Sequence, residues 1–275
     1  MRLVTYDAGA GPQTGILRNE RIAGGFPGDV AALLRGPGIA GLEGSANGDV
    51  ALANVTLLSP LLTPSKIICL GLNYRSHAEE AGMEPPETPT FFAKFPNALV
   101  APDAEVPLPA YSQRVDYEAE VAFVVGRRAH DVTEAQALDY IAGYTLLNDL
   151  SARDYQFKTP QWGPGKVFDG SAPCGPAVVT PDDAGPHDEI ELRLDLNGTT
   201  MQDATTADLI HSIPSLVAYL SMLMTLEPGD LVSTGTPAGV GSVRKPRVWL
   251  QPGDQVVIES PTLGRLANRI GERSG

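Results

Sequence analysis

Three acidic side chains within one segment, DYEAEVAFVVG at residues 116–126, have the clearest capacity for chemistry in this sequence. In an extended strand, side chains two residues apart share a face, so Asp116, Glu118 and Glu120 project together. The odd-numbered residues give the opposite face a continuous apolar surface. Neighbouring carboxylates repel one another and are costly to bury unless a cation neutralises them. A hard divalent metal ion with oxygen ligands would meet that need, and a solvent-exposed acidic strand end is the alternative.

A further acidic residue, Asp149, ends the apolar stretch of a second predicted strand, YTLLNDL at residues 144–150. Thr145, Leu147 and Asp149 share one face of that strand. A carboxylate at this place would complete a set of three ligands and leave metal positions for water and substrate. The alternative is that Asp149 caps the strand end or forms part of a turn.

His77 and Glu80 are three residues apart in NYRSHAEEAG, a predicted short helix ended by Gly82, and are therefore neighbours on one helical face. The pair is either a base with an orienting acid or an ordinary surface pair. Other catalytic motifs fail. GAGPQTG at residues 9–15 has the wrong spacing for a dinucleotide loop, and the sequence contains neither GxxxxGK[ST] nor GxSxG. Nucleotide binding and serine hydrolase chemistry therefore have no support.

Short apolar segments separated by Gly and Pro predict a mainly β chain. Residues 1–58 contain MRLVTYD and GILRNERIA as two predicted strands and DVAALLRG as a short helix, and SPLLTPSK at residues 59–66 predicts a linker. The remaining predicted strands are KIICLGL, FFAKF, YEAEVAFVVG, YTLLNDL, EIELRLDL, DLVSTGT and DQVVIES.

Two helices and one tight turn are predicted from their end signals. Thr133 with Gln136 forms a capping box that opens a helix to about residue 141. Ser212 caps a second helix, which has Pro214 in its first turn and runs to about residue 224. The Asn-Gly pair at 197–198 predicts a hairpin turn.

Composition and charge limit the classes of partner. The 275 residues include 29 glycines and 24 prolines, which is unfavourable for a helical bundle. Acidic residues number 33 against 20 basic ones, so nucleic acid and anionic membranes are not expected partners, whereas a small anionic substrate held by a few local cations is compatible. Cys69 and Cys174 form no CxxC pair and are predicted to be reduced and buried. Without a visible targeting or membrane-spanning segment, a cytoplasmic protein is expected.

Long motifs in one order make this sequence resemble the fumarylacetoacetate hydrolase (FAH) family. They are KIICLGLNYRSHAEE, DYEAEVAFVVG, GYTLLNDLSARD, GKVFDGSAPCGP and DLVSTGTPAGVG, and the resemblance covers roughly residues 65–270. It implies an α+β, mainly β fold with a small β-rich N-terminal domain at 1–60 and a mixed β-roll or β-sandwich catalytic domain at 61–275. It also implies a homodimer.

The resemblance assigns roles to individual residues. It implies a Mg²⁺ or Mn²⁺ ion held by Glu118, Glu120 and Asp149, with Asp116 outside the ligand set. It further implies a His77–Glu80 pair on a lid, predicted at residues 74–86, that closes over substrate. The other matched positions are an active-site lysine and three substrate-facing residues, namely Lys166, Gln156, Gly235 and Thr236. Arg75 and Lys94 are further candidate cations, with solvated surface residues as the favoured alternative.

Three functional hypotheses follow from the resemblance and the residues. The leading one is a metal-dependent hydrolase that cleaves a C–C bond of a small anionic acylpyruvate-like or β-dicarbonyl acid, with water activated by His77 and Glu80. The second uses the same metal site for decarboxylation of a 2-oxo diacid such as oxaloacetate, or for isomerisation of a hydroxymuconate-type acid. The third is an inactive metal-binding scaffold, which the complete set of matched residues disfavours. Specificity is expected in segments 82–90, 156–164 and 242–247.

Overall fold

The computed structural model describes residues 1–43 and 49–274, so residues 44–48 of the predicted N-terminal domain lie outside the described residues. The described residues form the predicted α+β, mainly β fold. Its strands are β1 (Arg2–Asp7), β2 (Pro12–Arg18), β3 (Arg21–Pro27), β4 (Val50–Ala51), β5 (Thr56–Leu57), β6 (Ile67–Gly71), β7 (Thr90–Lys94), β8 (Leu99–Val100), β9 (Glu105–Pro109), β10 (Val115–Asp116), β11 (Ala119–Val125), β12 (Ile141–Asn148), β13 (Ser151–Ala152), β14 (Ala172–Val179), β15 (Glu191–Leu196), β16 (Thr199–Thr205), β17 (Leu231–Ser233), β18 (Gln255–Ser260) and β19 (Gly264–Ser274).

The helices are short. The α-helices are α1 (Val30–Arg35), α2 (Ala40–Glu43), α3 (Arg75–Ala81), α4 (Arg153–Gln156), α5 (Pro181–Ala184) and α6 (Ile213–Leu223). Single 3₁₀ segments occur at Leu52–Asn54, Pro96–Ala98, Glu134–Tyr140, Gly163–Gly165, Thr206–Asp208 and Gly241–Val243.

Two large sheets form the body of the molecule. The first has twelve strands in the order β4-β3-β2-β1-β14-β12-β11-β17-β6-β7, with β5 paired to β1 and β8 paired to β14. The second has five strands in the order β16-β15-β18-β19-β9, and a small ladder joins β10 to β13. Because β1 pairs with β14, hydrogen bonding is continuous from the predicted N-terminal domain into the rest of the chain. The domain boundary at residue 60 stays a prediction.

Strand β11 has the two faces that its sequence predicts. The odd-numbered residues from 117 to 125 belong to one apolar core, which they share with Leu194 and Ile258 of the five-stranded sheet. On the other face, Ala122 and Val124 pack in a second core with residues of α1. Both faces of the strand are therefore covered, and any carboxylate at its beginning is held within the protein.

The predicted ends of several elements are confirmed, and others differ. The helix α3 ends at Gly82, whose φ of 65° lies in the left-handed region that favours glycine. The Ser212 side chain caps α6 as predicted. GILRNERIA is not one strand, because Asn19 and Glu20 adopt positive φ and turn the chain from β2 into β3. The predicted helix after Thr133 is a 3₁₀ helix.

Candidate active site

Three carboxylates from neighbouring strands meet in the interior. Glu118 lies in the break between β10 and β11, Glu120 is the second residue of β11, and Asp149 directly follows β12. The antiparallel register pairs Ala119 with Asn148, which places the two strand ends side by side. One oxygen from each carboxylate lies within 4.8 Å of the others, and all three residues are buried. We refer to Glu118, Glu120 and Asp149 as the acidic triad.

Three buried or partly buried cations contact the acidic triad. Lys166 Nζ lies 2.5 Å from Glu118 Oε2 and 2.6 Å from Asp149 Oδ2, so it bridges two of the carboxylates. Lys94 Nζ lies 2.9 Å from Asp149 Oδ1, and Arg153 Nη2 lies 2.6 Å from Glu118 Oε1. The positive charges that offset burial of the triad therefore come from three separate parts of the chain.

The electrostatics of the triad are uneven. Burial alone would raise the pKa of Glu118, but the charges of Arg153 and Lys166 outweigh it and hold that pKa well below its usual range. Glu120 has the opposite balance, because burial and then the charges of Asp149 and Glu118 raise its pKa well above the usual value. The groups that donate hydrogen bonds to Glu120 are neutral, namely the Ser233 hydroxyl and the Gly235 N–H. Glu120 is therefore the carboxylate with the greatest need for an added positive charge.

The triad fits a divalent metal ion. Its donors are all carboxylate oxygens, which hard cations prefer. Asp149 Oδ1 is buried and accepts no well-aligned hydrogen bond among the described residues, despite its closeness to Lys94. A divalent ion bound here would contact the Asp149 oxygen that accepts no hydrogen bond. It would also supply the positive charge that Glu120 lacks. The triad could hold such an ion.

The Asp116 carboxylate contacts groups outside the acidic triad. Its carboxylate accepts hydrogen bonds from the backbone N–H groups of Gly241 and Ser242 and pairs with Arg153 at 2.8 Å. Arg153 therefore lies between Asp116 and Glu118 and contacts both. Asp116 fixes the position of Arg153, which in turn contacts the triad.

A cavity of about 380 Å³ opens onto Glu118 and Glu120. The exposed surface of its walls is mainly apolar, and the aromatic residues among them are Phe92, Phe157, Trp162 and Trp249. Half of the lining residues are polar or charged, and these include the two carboxylates and several cations. Such a pocket can exclude bulk water around a small ligand while a small number of groups fix its orientation.

Several of the predicted site residues share this cavity. His77, Gln156, Lys166 and Thr236 line it together with two members of the triad. Two of the predicted substrate-binding residues are not among the lining residues. Gly235 lies beside the cavity and donates its N–H to Glu120, whereas Arg75 Nη1 donates to the Leu209 carbonyl at 2.6 Å.

The helix α3 that carries His77 is fastened at its N-terminal end. The Asp208 carboxylate accepts hydrogen bonds from the Ser76 N–H at 3.0 Å and from the Ser76 hydroxyl at 2.5 Å. Arg75 adds its bond to Leu209 on the same side. The following segment, residues 83–89, is mostly exposed and has no regular secondary structure. The predicted opening and closing of a lid at 74–86 stays a prediction.

His77 and Glu80 are close, but they do not form a short hydrogen bond. His77 Nδ1 lies 3.6 Å from Glu80 Oε2, and the Glu80 carboxylate accepts the Gly239 N–H at 3.0 Å. Burial would raise the pKa of Glu80, yet interactions with His77 and the Gly239 N–H outweigh it and lower that pKa. The carboxylate is thus kept anionic beside the imidazole, where it can stabilise a positive charge on the ring.

Sequence reasoning missed Arg153 and misjudged Lys94. Arg153 belongs to the S-A-R-D motif four residues after Asp149, a position that could have signalled its role. Lys94 was expected to be a solvated surface residue, but it is 2% exposed and donates to the Ser171 hydroxyl and carbonyl. The sequence of its strand, TFFAK, gives no sign of this burial. The bond of Asp208 to α3 likewise has no local sequence signal.

Comparisons with known proteins identify the family of this chain. Residues 66–271 match the family model described as "Fumarylacetoacetate (FAA) hydrolase C-terminal". The chain therefore belongs to the fumarylacetoacetate hydrolase family. A relative from Dictyostelium discoideum, named fumarylacetoacetate hydrolase domain-containing protein 2 homolog, is 43% identical over 82% of this chain and 77% of its own length.

Two further similarities concern proteins with named reactions. Oxaloacetate tautomerase fahd2, mitochondrial, from Xenopus laevis is 41% identical over 79% of this chain and 69% of its own length. The crystal structure of 5-carboxymethyl-2-hydroxymuconate delta-isomerase from Mycobacterium smegmatis is 35% identical, covers both chains completely and superposes with a TM-score of 0.83. Within residues 1–43 and 49–274, the helices are all too short or too polar to cross a bilayer. The predicted cytoplasmic location stays a prediction.

Proposed function

We propose that this protein is a divalent-metal-dependent enzyme that interconverts the keto and enol forms of a 2-oxo dicarboxylic acid. The observation that carries the proposal is the acidic triad with its three cations at the base of a cavity that also contains His77. The arrangement is suited to stabilising negative charge that develops on an enolate oxygen. The names of the tautomerase and isomerase relatives support this reaction over others in the family.

The metal proposed for the triad is Mg²⁺ or Mn²⁺, since both accept carboxylate oxygen ligands. Bound there, such an ion would supply Lewis acidity toward the 2-oxo oxygen of the substrate. Lys166, which lies between Glu118 and Asp149, would add a fixed positive charge beside the same position. Thr236 and Gln156 line the cavity and would orient the substrate's polar groups.

His77 would carry the proton. In the enolisation direction the imidazole takes a proton from the carbon next to the 2-oxo group, and the electron pair of that C–H bond becomes the C=C bond. The imidazolium then returns that proton to the 2-oxo oxygen, so the base is regenerated and atoms and charge balance without water. Glu80 would stabilise the imidazolium formed in between, since its carboxylate lies 3.6 Å from His77 Nδ1. The apolar walls would limit access of water to this intermediate.

The proposal is tested by following the loss of the enol absorbance of oxaloacetate with Mg²⁺ present and after chelation by EDTA. The wild-type protein should accelerate the interconversion only with the metal. His77→Ala should lower the rate roughly 10²- to 10⁴-fold, the usual contribution of a general base. His130→Ala is the matched control, because His130 is exposed and does not line the cavity. No acceleration by the wild-type protein, or an unchanged rate in His77→Ala, would contradict the proposal.

Hydrolysis of a C–C bond is the second candidate. The position of Glu80 beside His77 favours it, because an imidazole oriented by a carboxylate can also deprotonate a water molecule. Product analysis separates the candidates: an acylpyruvate would yield two shorter acids on hydrolysis, an oxo diacid would yield carbon dioxide on decarboxylation, and neither product arises from tautomerisation. A panel of these acids, assayed with and without metal, decides among the three reactions.

A further inference from the structure

Two arginines at the cavity have no partner for their charge within the part of the chain that the structure describes. Arg114 and Arg247 both line the cavity and both are exposed. Neither guanidinium forms an ion pair or a side-chain hydrogen bond with any of the residues that the structure describes. Among the described residues, most arginines form no ion pair. The distinguishing feature of Arg114 and Arg247 is that both line the cavity that also contains Glu118 and Glu120.

Backbone hydrogen bonds bring these arginines into one place. The Leu250 N–H donates to the Val115 carbonyl at 2.9 Å, and the Arg153 N–H donates to the Arg114 carbonyl at 2.9 Å. The segment containing Arg114 consequently lies between the segment after Arg247 and the segment that begins α4. The fixed order of the three segments places both arginines beside the entrance to the triad.

Arg153 differs from these two arginines because carboxylates of the protein pair with its guanidinium. It lies in the same group of segments, but Asp116 and Glu118 pair with it at 2.8 and 2.6 Å. Its charge is therefore satisfied within the protein. Arg114 and Arg247 have equal access to the cavity without such compensation, so their charge is available to a ligand.

We propose that Arg114 and Arg247 bind the distal carboxylate of the substrate and so select dicarboxylic over monocarboxylic 2-oxo acids. This inference rests on the proposed function, since it takes the 2-oxo acid end of the substrate to lie at the acidic triad. A guanidinium presents parallel N–H donors that match a carboxylate. Trp249 and Phe157, which also line the cavity, reduce the contact of that ion pair with water and so strengthen it.

The inference is tested with two unreactive oxalyl compounds. N-oxalylglycine and oxamate share the oxalyl end, and only N-oxalylglycine has a distal carboxylate. Their binding is measured by calorimetry with Mg²⁺ for the wild type, Arg114→Gln, Arg247→Gln and the double variant. The wild type should bind N-oxalylglycine about 10- to 100-fold more tightly than oxamate, as expected from charge-assisted hydrogen bonds. The double variant should lose that preference while its oxamate affinity stays unchanged.

Arg127→Gln is the matched control, because Arg127 is an exposed arginine just beyond the other end of β11 and does not line the cavity. It should retain the wild-type preference. Equal binding of the two compounds by the wild type, with tautomerase activity intact, would overturn this inference alone. A change in sedimenting mass of the double variant without a change in ligand preference would also overturn it and assign the arginines to a protein contact. Failure of the wild type to bind either compound would reject the proposed function and this inference with it.

Discussion

At the scale of single residues, the carboxylates of the acidic triad differ in their partners. Cations contact Glu118, and neutral groups contact Glu120. Glu118 contacts both Lys166 and Arg153, whereas Glu120 receives only a hydroxyl and a backbone N–H. Removing Glu120 therefore takes a ligand from the proposed metal site without leaving an unpaired cation. This asymmetry makes Glu120 the most informative position at which to test metal binding.

Glu120→Gln should sharply weaken the binding of Mg²⁺. The amide keeps an oxygen that can accept from Ser233 and Gly235, so the fold should be maintained, but one anionic ligand is lost. Mutating a residue that only hydrogen-bonds a metal ligand lowers metal affinity roughly 10- to 100-fold. Glu120 is a proposed ligand itself, so we expect its substitution to lower the Mg²⁺ affinity by more than that. Isothermal titration calorimetry of the metal gives this value directly.

The control for that substitution is Glu79→Gln, which removes the same charge from an exposed residue outside the cavity. The thermal unfolding midpoint of metal-free Glu120→Gln should equal or exceed that of the wild type, because repulsion from Asp149 and Glu118 is removed. An unchanged Mg²⁺ titration in Glu120→Gln would exclude the triad as the metal site.

At the scale of elements, Trp162 packs the loop at residues 157–162 against the cavity wall. The Trp162 ring packs directly on Gly71 at the end of β6, where an added Cβ would lie 2.1 Å from a ring carbon. Trp162 also makes an edge-to-face contact with Phe92, at 5.8 Å between ring centroids. Phe92 in turn lies beneath Lys166 Nζ at 4.8 Å. The absence of a side chain at residue 71 thus lets the loop reach the cavity wall.

Gly71→Ala should displace Trp162 and widen the entrance of the cavity. Overpacking a rigid core lowers the free energy of unfolding by about 1–3 kcal/mol. Because the loop at Trp162 can shift, the loss in this variant should be smaller than that. We therefore expect a changed tryptophan emission spectrum and a higher KM with little loss of stability. Gly163→Ala is the control, since a Cβ there meets no atom within 4 Å. Identical emission and KM in both variants would mean that the Trp162 contact does not shape the site.

At the scale of the whole molecule, the large sheet ends in an open strand. Among the described strands, β7 pairs only with β6, and Phe91 and Phe95 near its two ends are 38% and 55% exposed. An uncovered edge with exposed aromatic side chains is a liability for a monomer. These features are compatible with the homodimer that the sequence resemblance implies, and the dimer stays a prediction.

Sedimentation equilibrium at micromolar concentration should give a mass near twice the 29.0 kDa of one chain. Phe95→Ser should lower the average mass, because it removes apolar area from the uncovered edge. Leu138→Ser removes a comparably exposed apolar residue from the Glu134–Tyr140 segment and should leave the mass unchanged. A wild-type mass near that of a single chain would contradict the dimer.

The sequence alone was sufficient to identify the elements whose signals are local. The alternation of residues 117–125, the end of α3 at Gly82 and the Ser212 cap of α6 are each determined within a few positions. The Asn197-Gly198 turn between β15 and β16 is of the same kind, with both residues at positive φ. The grouping of the acidic triad was also foreseen, because two of its members lie two residues apart in one segment.

Local rules failed where pairing with distant strands decides the structure. The segment at 172–179 contains Pro173 and Pro176, which argue against an interior strand, and no strand was predicted there. It nevertheless forms β14 in the large sheet, between β1 and β12. Its register against β12 shifts after Tyr144, and this irregularity accommodates residues that cannot donate to a regular ladder.

The tertiary structure alone decided which charges meet. Lys94 is 55 residues from Asp149 along the chain, and Arg153 is 35 residues from Glu118. Lys166 is 17 residues from Asp149, and each of these three pairs is in contact. The same folding left Arg114 and Arg247 without a partner among the described residues, and it turned Arg75 toward the Leu209 carbonyl. A charge's effect depends on its distance and on the water around it, and sequence separation determines neither.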